Sequence, residues 1–193
     1  MTFRKLMQIG LLGIVVGCDL KENLEGITED YQNTNTEIQV DFQPIIQTHI
    51  NYRTTNFSQD TDEVILARMI FGEARNCSKE ERIAVGYTTI NRLKQPRKFG
   101  RTLSQVILKP YQYSCFNRND PNREKLMNPK RYDPQSFEEC LEIARGIISG
   151  TYKDPTQRAT HYFNPRIVRP SWANQMTRIG RINNSKHEFY RED

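Results

Sequence analysis

Apolar residues recur at helical spacing in several stretches of the chain, separated by prolines and polar turns. Between Thr61 and Arg75, Ile70, Met69 and Leu66 lie three, four and seven residues before Glu73. At roughly 3.6 residues per turn these positions share one face. The spacing predicts an amphipathic helix whose apolar stripe ends in a carboxylate. Asp60 or Thr61 is the expected N-cap, and Asp62 and Glu63 fall in the first turn, where they oppose the helix dipole favourably. A carboxyl carried into apolar surroundings holds its proton more tightly than one in water, and a proton held near neutrality is what a general acid requires.

A second helix is expected to follow at once. Ser78-Lys79-Glu80-Glu81 has the form of a capping box, Ile83, Ala84, Tyr87 and Ile90 make an inward stripe, and Pro96 marks the end. Leu103, Val106 and Ile107 suggest a short third helix closed by Pro110. Tyr111 to Asn117 alternates aromatic and polar residues, more like a groove-lining loop or strand than a helix, and Asn119 to Asn122 is a turn. Asp133-Pro134 opens the clearest helix, with Phe137, Cys140, Leu141, Ala144, Ile147 and Ile148 on one face and Gly150 at its stop. After a turn at Asp154-Pro155, Ala159 to Pro165 reads as extended. Pro170-Ser171-Trp172 opens a short helical stretch, and His187 to Tyr190 alternates like a terminal strand. The fold class expected is α+β, mainly helical, with a small β element.

The N-terminal third changes the picture of where this domain works. Arg4 and Lys5 precede an apolar run from Leu6 to Val16, too short to span a bilayer comfortably and built like a signal peptide. Val15-Val16-Gly17-Cys18 resembles a bacterial lipobox, so residues 1–17 are expected to be removed and Cys18 lipidated. Several acyl chains supply the stable anchoring that one does not. Residues 18–60 are polar and without a sustained period and read as a tether, with the catalytic domain over 61–193. Forty-odd residues extend to at most about 140–150 Å and average roughly 35 Å as a coil. The expected address is extracytoplasmic and membrane-anchored, on the periplasmic side of the inner membrane in a Gram-negative host.

Charge divides along the same line. The chain carries a net +5, but residues 19–60 hold two basic side chains, Lys21 and Arg53, against eight acidic ones, leaving the domain strongly basic. A basic domain outside the cytoplasm fits an anionic wall polymer, and a nucleic-acid partner is not expected. His161, His187 and the cysteines are potential zinc ligands, yet neither His-Glu-x-x-His nor Cys-x-x-Cys occurs, so no metal and no cofactor is expected. His161, Asn183 or Asn184 and His187 match no nuclease spacing with a statable mechanism.

Taken in order, the motifs resemble the cell wall hydrolases of the spore cortex-lytic, SleB-like type. The matching stretches are Leu66 to Ala74, Ala84-Val85-Gly86 through Ile90-Asn91-Arg92, Gln112 to Asn117, Asp154-Pro155-Thr156, Ala159 to Pro165, Trp172-Ala173, and Ile179-Gly180 with His187 to Arg191. The resemblance implies a lysozyme-like fold and cleavage of peptidoglycan glycan strands between N-acetylmuramic acid and N-acetylglucosamine by the lytic transglycosylase route. It places the family's glutamate on Glu73, as acid and then base, and gives Gln112, Tyr113, Ser114, Thr160, His161, Tyr162 and Asn164 to substrate contact. The subgroup with Ser-Cys in the first groove segment also carries a cysteine in the later helix, which implies a Cys115–Cys140 disulfide with Cys77 free and buried. Two departures stand out. Arg158 replaces a glycine common before Ala-Thr, and Arg181 to Ser185 intervenes before the final histidine. Hydrolysis with Glu73 as acid is the enzymatic rival. A monomeric lipoprotein that binds wall glycan without cutting it is the other, favoured if Arg68 or Arg75 neutralises Glu73.

Overall fold

The computed structural model describes residues 52–192, and the leader, the lipobox, Cys18 and the acidic segment as far as residue 51 lie outside the described residues. Among the described residues six α-helices precede a small antiparallel sheet: α1 (Asp62–Ala74), α2 (Lys79–Leu93), α3 (Leu103–Ile107), α4 (Arg123–Met127), α5 (Pro129–Tyr132), α6 (Pro134–Ile148), β1 (His161–Phe163), β2 (Thr177–Arg181) and β3 (Glu188–Arg191). This is the mainly helical α+β architecture expected.

The role of α1 differs from the expectation of a one-sided stripe. Ile65, Leu66, Ala67, Met69, Ile70, Phe71 and Ala74 are all buried, because α6, α2, α3 and α4 pack around it. A helix apolar on every side belongs at the centre of a core. Even Arg68, at 1% exposure, is enclosed. Its Nε donates to Asp60 Oδ2 at 2.7 Å and its Nη2 to the Tyr52 carbonyl at 2.6 Å, while Nη1 reaches the Leu126 carbonyl. The Phe57 and Phe137 rings flank the guanidinium at 5.7 and 5.9 Å. Tyr52 to Asp60, assigned to the tether by composition, therefore pack onto the domain, with Phe57 itself in the core. A buried guanidinium needs all these acceptors, and the segment before α1 supplies two of them.

Helix α2 begins as expected, with Ser78 Oγ accepting from Glu81 N at 3.3 Å. Its buried face is unexpectedly polar: Thr88, Thr89, Asn91 and Arg92 are enclosed, whereas Ile83 and Ile90 are only half-buried. Helix α6 buries Phe137, Cys140, Leu141, Ala144 and Ile147 as its pattern requires, and turns Ile148 outward. A Cβ placed on Gly86 of α2 would meet Ile147 Cδ1 at 2.5 Å, so glycine there lets the Ile147 side chain of α6 lie directly against α2.

In the sheet, β3 lies between β1 and β2, antiparallel to both, with Tyr162 opposite Phe189 and His161 opposite Tyr190. Alternation puts Tyr162 and Phe189 on one face, with Phe189 in the helical core, and His161, Phe163 and Tyr190 on the other. The inserted residues before His187 form the β2–β3 connection, in which Ser185 Oγ donates to the His187 carbonyl at 2.7 Å. β3 pairs with β1 in unbroken register from Glu188 to Tyr190. A bulge between Arg178 and Gly180 offsets β2.

The disulfide implied by the resemblance does not form: Cys77, Cys115 and Cys140 are all free thiols. Cys115 is wedged against Gly72 at the end of α1, whereas Cys140 sits on α6 in the field of Arg82 and Glu139. Both are buried in the hydrophobic core, and no bond joins them. Burial pushes the Cys140 thiol up to about 12, so it is an inert core group. Cys77 is half-buried.

Candidate active site

Glu73 emerges in the last turn of α1, two residues past Phe71, the last large apolar side chain of the helix. It does not enter the core, as the stripe suggested, but is half-buried at its rim. One carboxylate oxygen, Oε2, accepts a hydrogen bond from the Tyr162 hydroxyl at 3.0 Å, across 89 positions of sequence. Burial, and next the Glu73 carboxylate, push the Tyr162 hydroxyl well above its ordinary range. Tyr162 is therefore a donor at any working pH. The Cys115 thiol is the second neighbour. Burial and then Glu73 raise its pKa well above the usual thiol range, so it too stays protonated beside the carboxylate.

Gly72 explains how Cys115 comes so close. A Cβ on residue 72 would lie 2.6 Å from Cys115 Sγ, 3.0 Å from its Cβ and 3.2 Å from Leu126 Cδ2. Glycine there lets the 3-10 turn Ser114–Phe116 lie directly against the end of α1.

The arginines that could have neutralised Glu73 are engaged elsewhere. Arg68 is held by Asp60, and Arg75 donates to Asn122 Oδ1 at 3.2 Å while lying over the Phe71 ring.

Tyr162 is positioned from behind by the polar face of α2. Asn91 Nδ2 donates to Asp154 Oδ2 at 2.9 Å and to the Ala159 carbonyl at 3.0 Å, and Arg92 Nε donates to the Thr160 carbonyl at 2.7 Å. These bonds secure the loop that leads into β1. The same loop contains Arg158, at φ 70°, next to Gln157 at φ 50°. The turn thus keeps the left-handed conformation that a glycine would adopt without strain, although arginine occupies it. Arg92 also lies over the Tyr113 ring at 4.9 Å.

The polar-aromatic residues expected to touch substrate divide into two groups. Tyr113 (3% exposed) and Thr160 (0%) are buried and work as supports: the Tyr113 hydroxyl is 2.7 Å from Thr89 Oγ1, and Thr160 Oγ1 is 2.9 Å from His161 Nδ1. Ser114 is exposed, while Gln112, His161, Tyr162 and Asn164 are half-buried. His161 lies between Phe99 and Trp172, with ring centroids 6.1 and 5.0 Å away. Burial and then Arg92 push its pKa down to about 4, so it is neutral at ordinary pH. Asn164 Oδ1 accepts from the Arg166 amide at 3.0 Å. Asn91 and Arg92 were legible only as parts of a motif, because a buried polar helix face leaves no hydrophobic period to read.

On the other face of the sheet is a cavity of about 440 Å³, bounded by Phe163, Arg169, Arg178, Glu188 and Tyr190 among others. Glu73 does not line it.

Residues 76–190 match the Cell Wall Hydrolase family. The chain belongs to that family. Among curated relatives, this cell wall hydrolase is 29% identical over 130 residues to the spore cortex-lytic enzyme of Halalkalibacterium halodurans and 28% identical over 130 residues to that of Bacillus subtilis. Each alignment takes in 67% of this chain but only 34% and 37% of the relative, so the chain spans about a third of their length. Among solved structures it is similar to the catalytic domain of the germination-specific lytic transglycosylase SleB from Bacillus anthracis, at a TM-score of 0.50 and 25% identity over 67% of this chain and 93% of that one. The catalytic domain of the Bacillus cereus SleB protein gives a TM-score of 0.50 at 24% identity, covering 72% of this chain and 96% of that one. The lysozyme-like fold is thereby shown. The family match begins just beyond Glu73, so the case for that residue rests on its geometry.

Proposed function

We propose that this cell wall hydrolase cleaves peptidoglycan glycan strands between N-acetylmuramic acid and N-acetylglucosamine by a lytic transglycosylase mechanism with Glu73 as the single acid–base group. The observation that carries the reading is a half-exposed carboxylate at the end of a buried helix, held through one oxygen by the Tyr162 hydroxyl while both nearby arginines are engaged elsewhere. The Tyr162 hydroxyl and the protonated Cys115 thiol together hold the carboxyl at the half-exposed rim, where a substrate can reach it. Neutral Glu73 protonates the glycosidic oxygen as the bond to C1 breaks. The carboxylate so formed takes the proton of the muramic acid 6-hydroxyl as that oxygen closes on C1. The product is a 1,6-anhydro ring and no water is consumed. One carboxyl suffices, where a conventional glycosidase employs two. A solved relative described as a germination-specific lytic transglycosylase supports the route.

Gln112, Ser114 and Asn164 are proposed to contact sugar, while Tyr113 and Thr160 act from behind and His161 lies on the opposite face of the sheet from Tyr162. The basic domain meets an anionic wall polymer. Lipidation at Cys18 and the acidic segment after it would hold the enzyme, as a monomer, at the outer face of the membrane within reach of the wall. Among the described residues no helix is long and apolar enough to cross a membrane.

The test is digestion of purified peptidoglycan by wild type and Glu73→Gln, with the products resolved by mass spectrometry. Anhydro-muropeptides from wild type and none from the variant are expected, with the variant folded as wild type by circular dichroism. Products ending in reducing sugars would make the enzyme a hydrolase. Equal clearing by both proteins would remove Glu73 from the chemistry and leave a glycan-binding lipoprotein.

A further inference from the structure

Beside the Tyr162 ring, side chains from two distant parts of the chain meet. Cys77 lies just before the Ser78 N-cap of α2, Glu81 is in the first turn of that helix, and His187 immediately precedes β3. One ligand atom from each of the three lies within 4.8 Å of both others. A tetrahedral zinc ion with bonds of about 2.0–2.3 Å places its ligands roughly 3.3–3.7 Å apart, so the cluster closes around an ion with small side-chain rotations. Glu81 is 3% exposed and the His187 side chain 14%. One Glu81 oxygen is already fixed: Oε1 accepts from the Lys186 and His187 amides at 2.9 and 3.0 Å and lies 2.7 Å from His187 Nδ1. The carboxylate is thus preorganised on one side and has a second oxygen to offer on the other.

We propose that Cys77, Glu81 and His187 form a zinc site, with thiolate, imidazole and carboxylate as three ligands and water as the fourth. The donor set is mixed soft and borderline, which suits zinc and not magnesium or calcium, whose ligands are oxygens. Binding displaces the Cys77 proton to solvent, and the imidazole coordinates through a nitrogen that carries no hydrogen. The site is not a second catalytic centre but a brace. The His187 ring meets the Tyr162 ring edge-on at 5.1 Å, and Tyr162 holds Glu73. Zinc would join the start of α2 to the start of β3 and so limit the motion of the residue that orients the proposed acid. Sequence motifs could not reveal it, because Cys77 and His187 are brought together only by the packing of β3 against the helices. The site stands independently of the proposed glycan chemistry.

The test uses the full-length chain, stripped with a chelator, reloaded with zinc, dialysed, and assayed by elemental mass spectrometry and thermal unfolding. Wild type is expected to retain close to one equivalent, and its unfolding midpoint to rise by about 5–10 °C at a hundredfold excess of zinc over Kd. Cys77→Ser, nearly isosteric, is expected to bind at least tenfold more weakly and to lose the shift. Cys140→Ala, which removes a thiol outside the cluster, keeps both. Cobalt(II) in place of zinc should give the near-ultraviolet charge-transfer band of a thiolate ligand in wild type and not in Cys77→Ser. Wild type without bound zinc, or Cys77→Ser binding as tightly as wild type, overturns the proposal and leaves the cluster a hydrogen-bonded clasp. His187→Gln should match Cys77→Ser. If it fails to fold, Cys77→Ser alone decides.

Discussion

Tyr162→Phe isolates the contact on which the proposed acid depends. The substitution removes one hydroxyl, whose hydrogen bond to Glu73 Oε2 spans 3.0 Å, and leaves the ring against His187 and Phe189 at 5.1 and 5.9 Å. Hydrogen bonds to charged groups contribute about 1.5–3 kcal/mol. Glu73 is half-buried, so water replaces part of the lost donor and the lower end of that range applies. At 1.36 kcal/mol per tenfold in rate, kcat should fall about ten- to thirtyfold. KM should stay within about twofold, since the hydroxyl points at the acid and not at the sugar. The assay is the initial rate of soluble muropeptide release across a range of peptidoglycan concentrations, with folding followed by thermal unfolding. A kcat within threefold of wild type would refute the view that Tyr162 orients Glu73. A loss as complete as that of Glu73→Gln would refute it in the other direction, by making the hydroxyl part of the reaction.

Gly72→Ala should destabilise by about 1–3 kcal/mol through overpacking, because the new methyl would meet Cys115 Sγ at 2.6 Å and Leu126 Cδ2 at 3.2 Å. Adding Cys115→Ala should restore part of the loss, and additive losses in chemical denaturation would refute the contact. Arg158→Gly should stabilise by about 0.5–1 kcal/mol, since relief of the left-handed strain exceeds the extra chain entropy of glycine; an unchanged or lower denaturation midpoint would count against strain at φ 70°. His161 makes stability depend on pH. Its pKa is about 4 folded against 6.5 unfolded, so the unfolded chain binds the extra proton and stability is lost as pH falls from about 6.5 towards 4. The loss should reach at most about 3 kcal/mol, and His161→Gln should flatten the profile of denaturation midpoints over that window.

Much of the architecture was legible along the chain because local chemistry dictates it. The Thr61, Ser78 and Asp133 caps start α1, α2 and α6 where expected, since each side chain satisfies an amide at the helix terminus. Helix α6, with one apolar face, buries nearly the residues its period indicates. Strand β2 carries no strand signature: Thr-Arg-Ile-Gly-Arg is short, two of its five residues are charged, and it is a strand because β3 offers it hydrogen bonds. The short helices α4 and α5 likewise have no period long enough to detect.

What the sequence determined by itself was the family pattern, the class of fold and the identity of Glu73 as the acid to watch. Each follows from residues close together, whose spacing is fixed by helix geometry or by motif. Tertiary structure decided that α1 is buried on all sides, that Tyr113 and Thr160 support the site from behind, and that the three described cysteines remain thiols. It also decided that Tyr162 finds Glu73 across 89 positions. Such contacts depend on how closely β1, α2 and the end of α1 approach, and that approach is set by small clearances such as the missing Cβ of Gly72 and by the buried hydrogen bonds of Asn91 and Arg92. A distance set by packing has no period in the sequence to announce it.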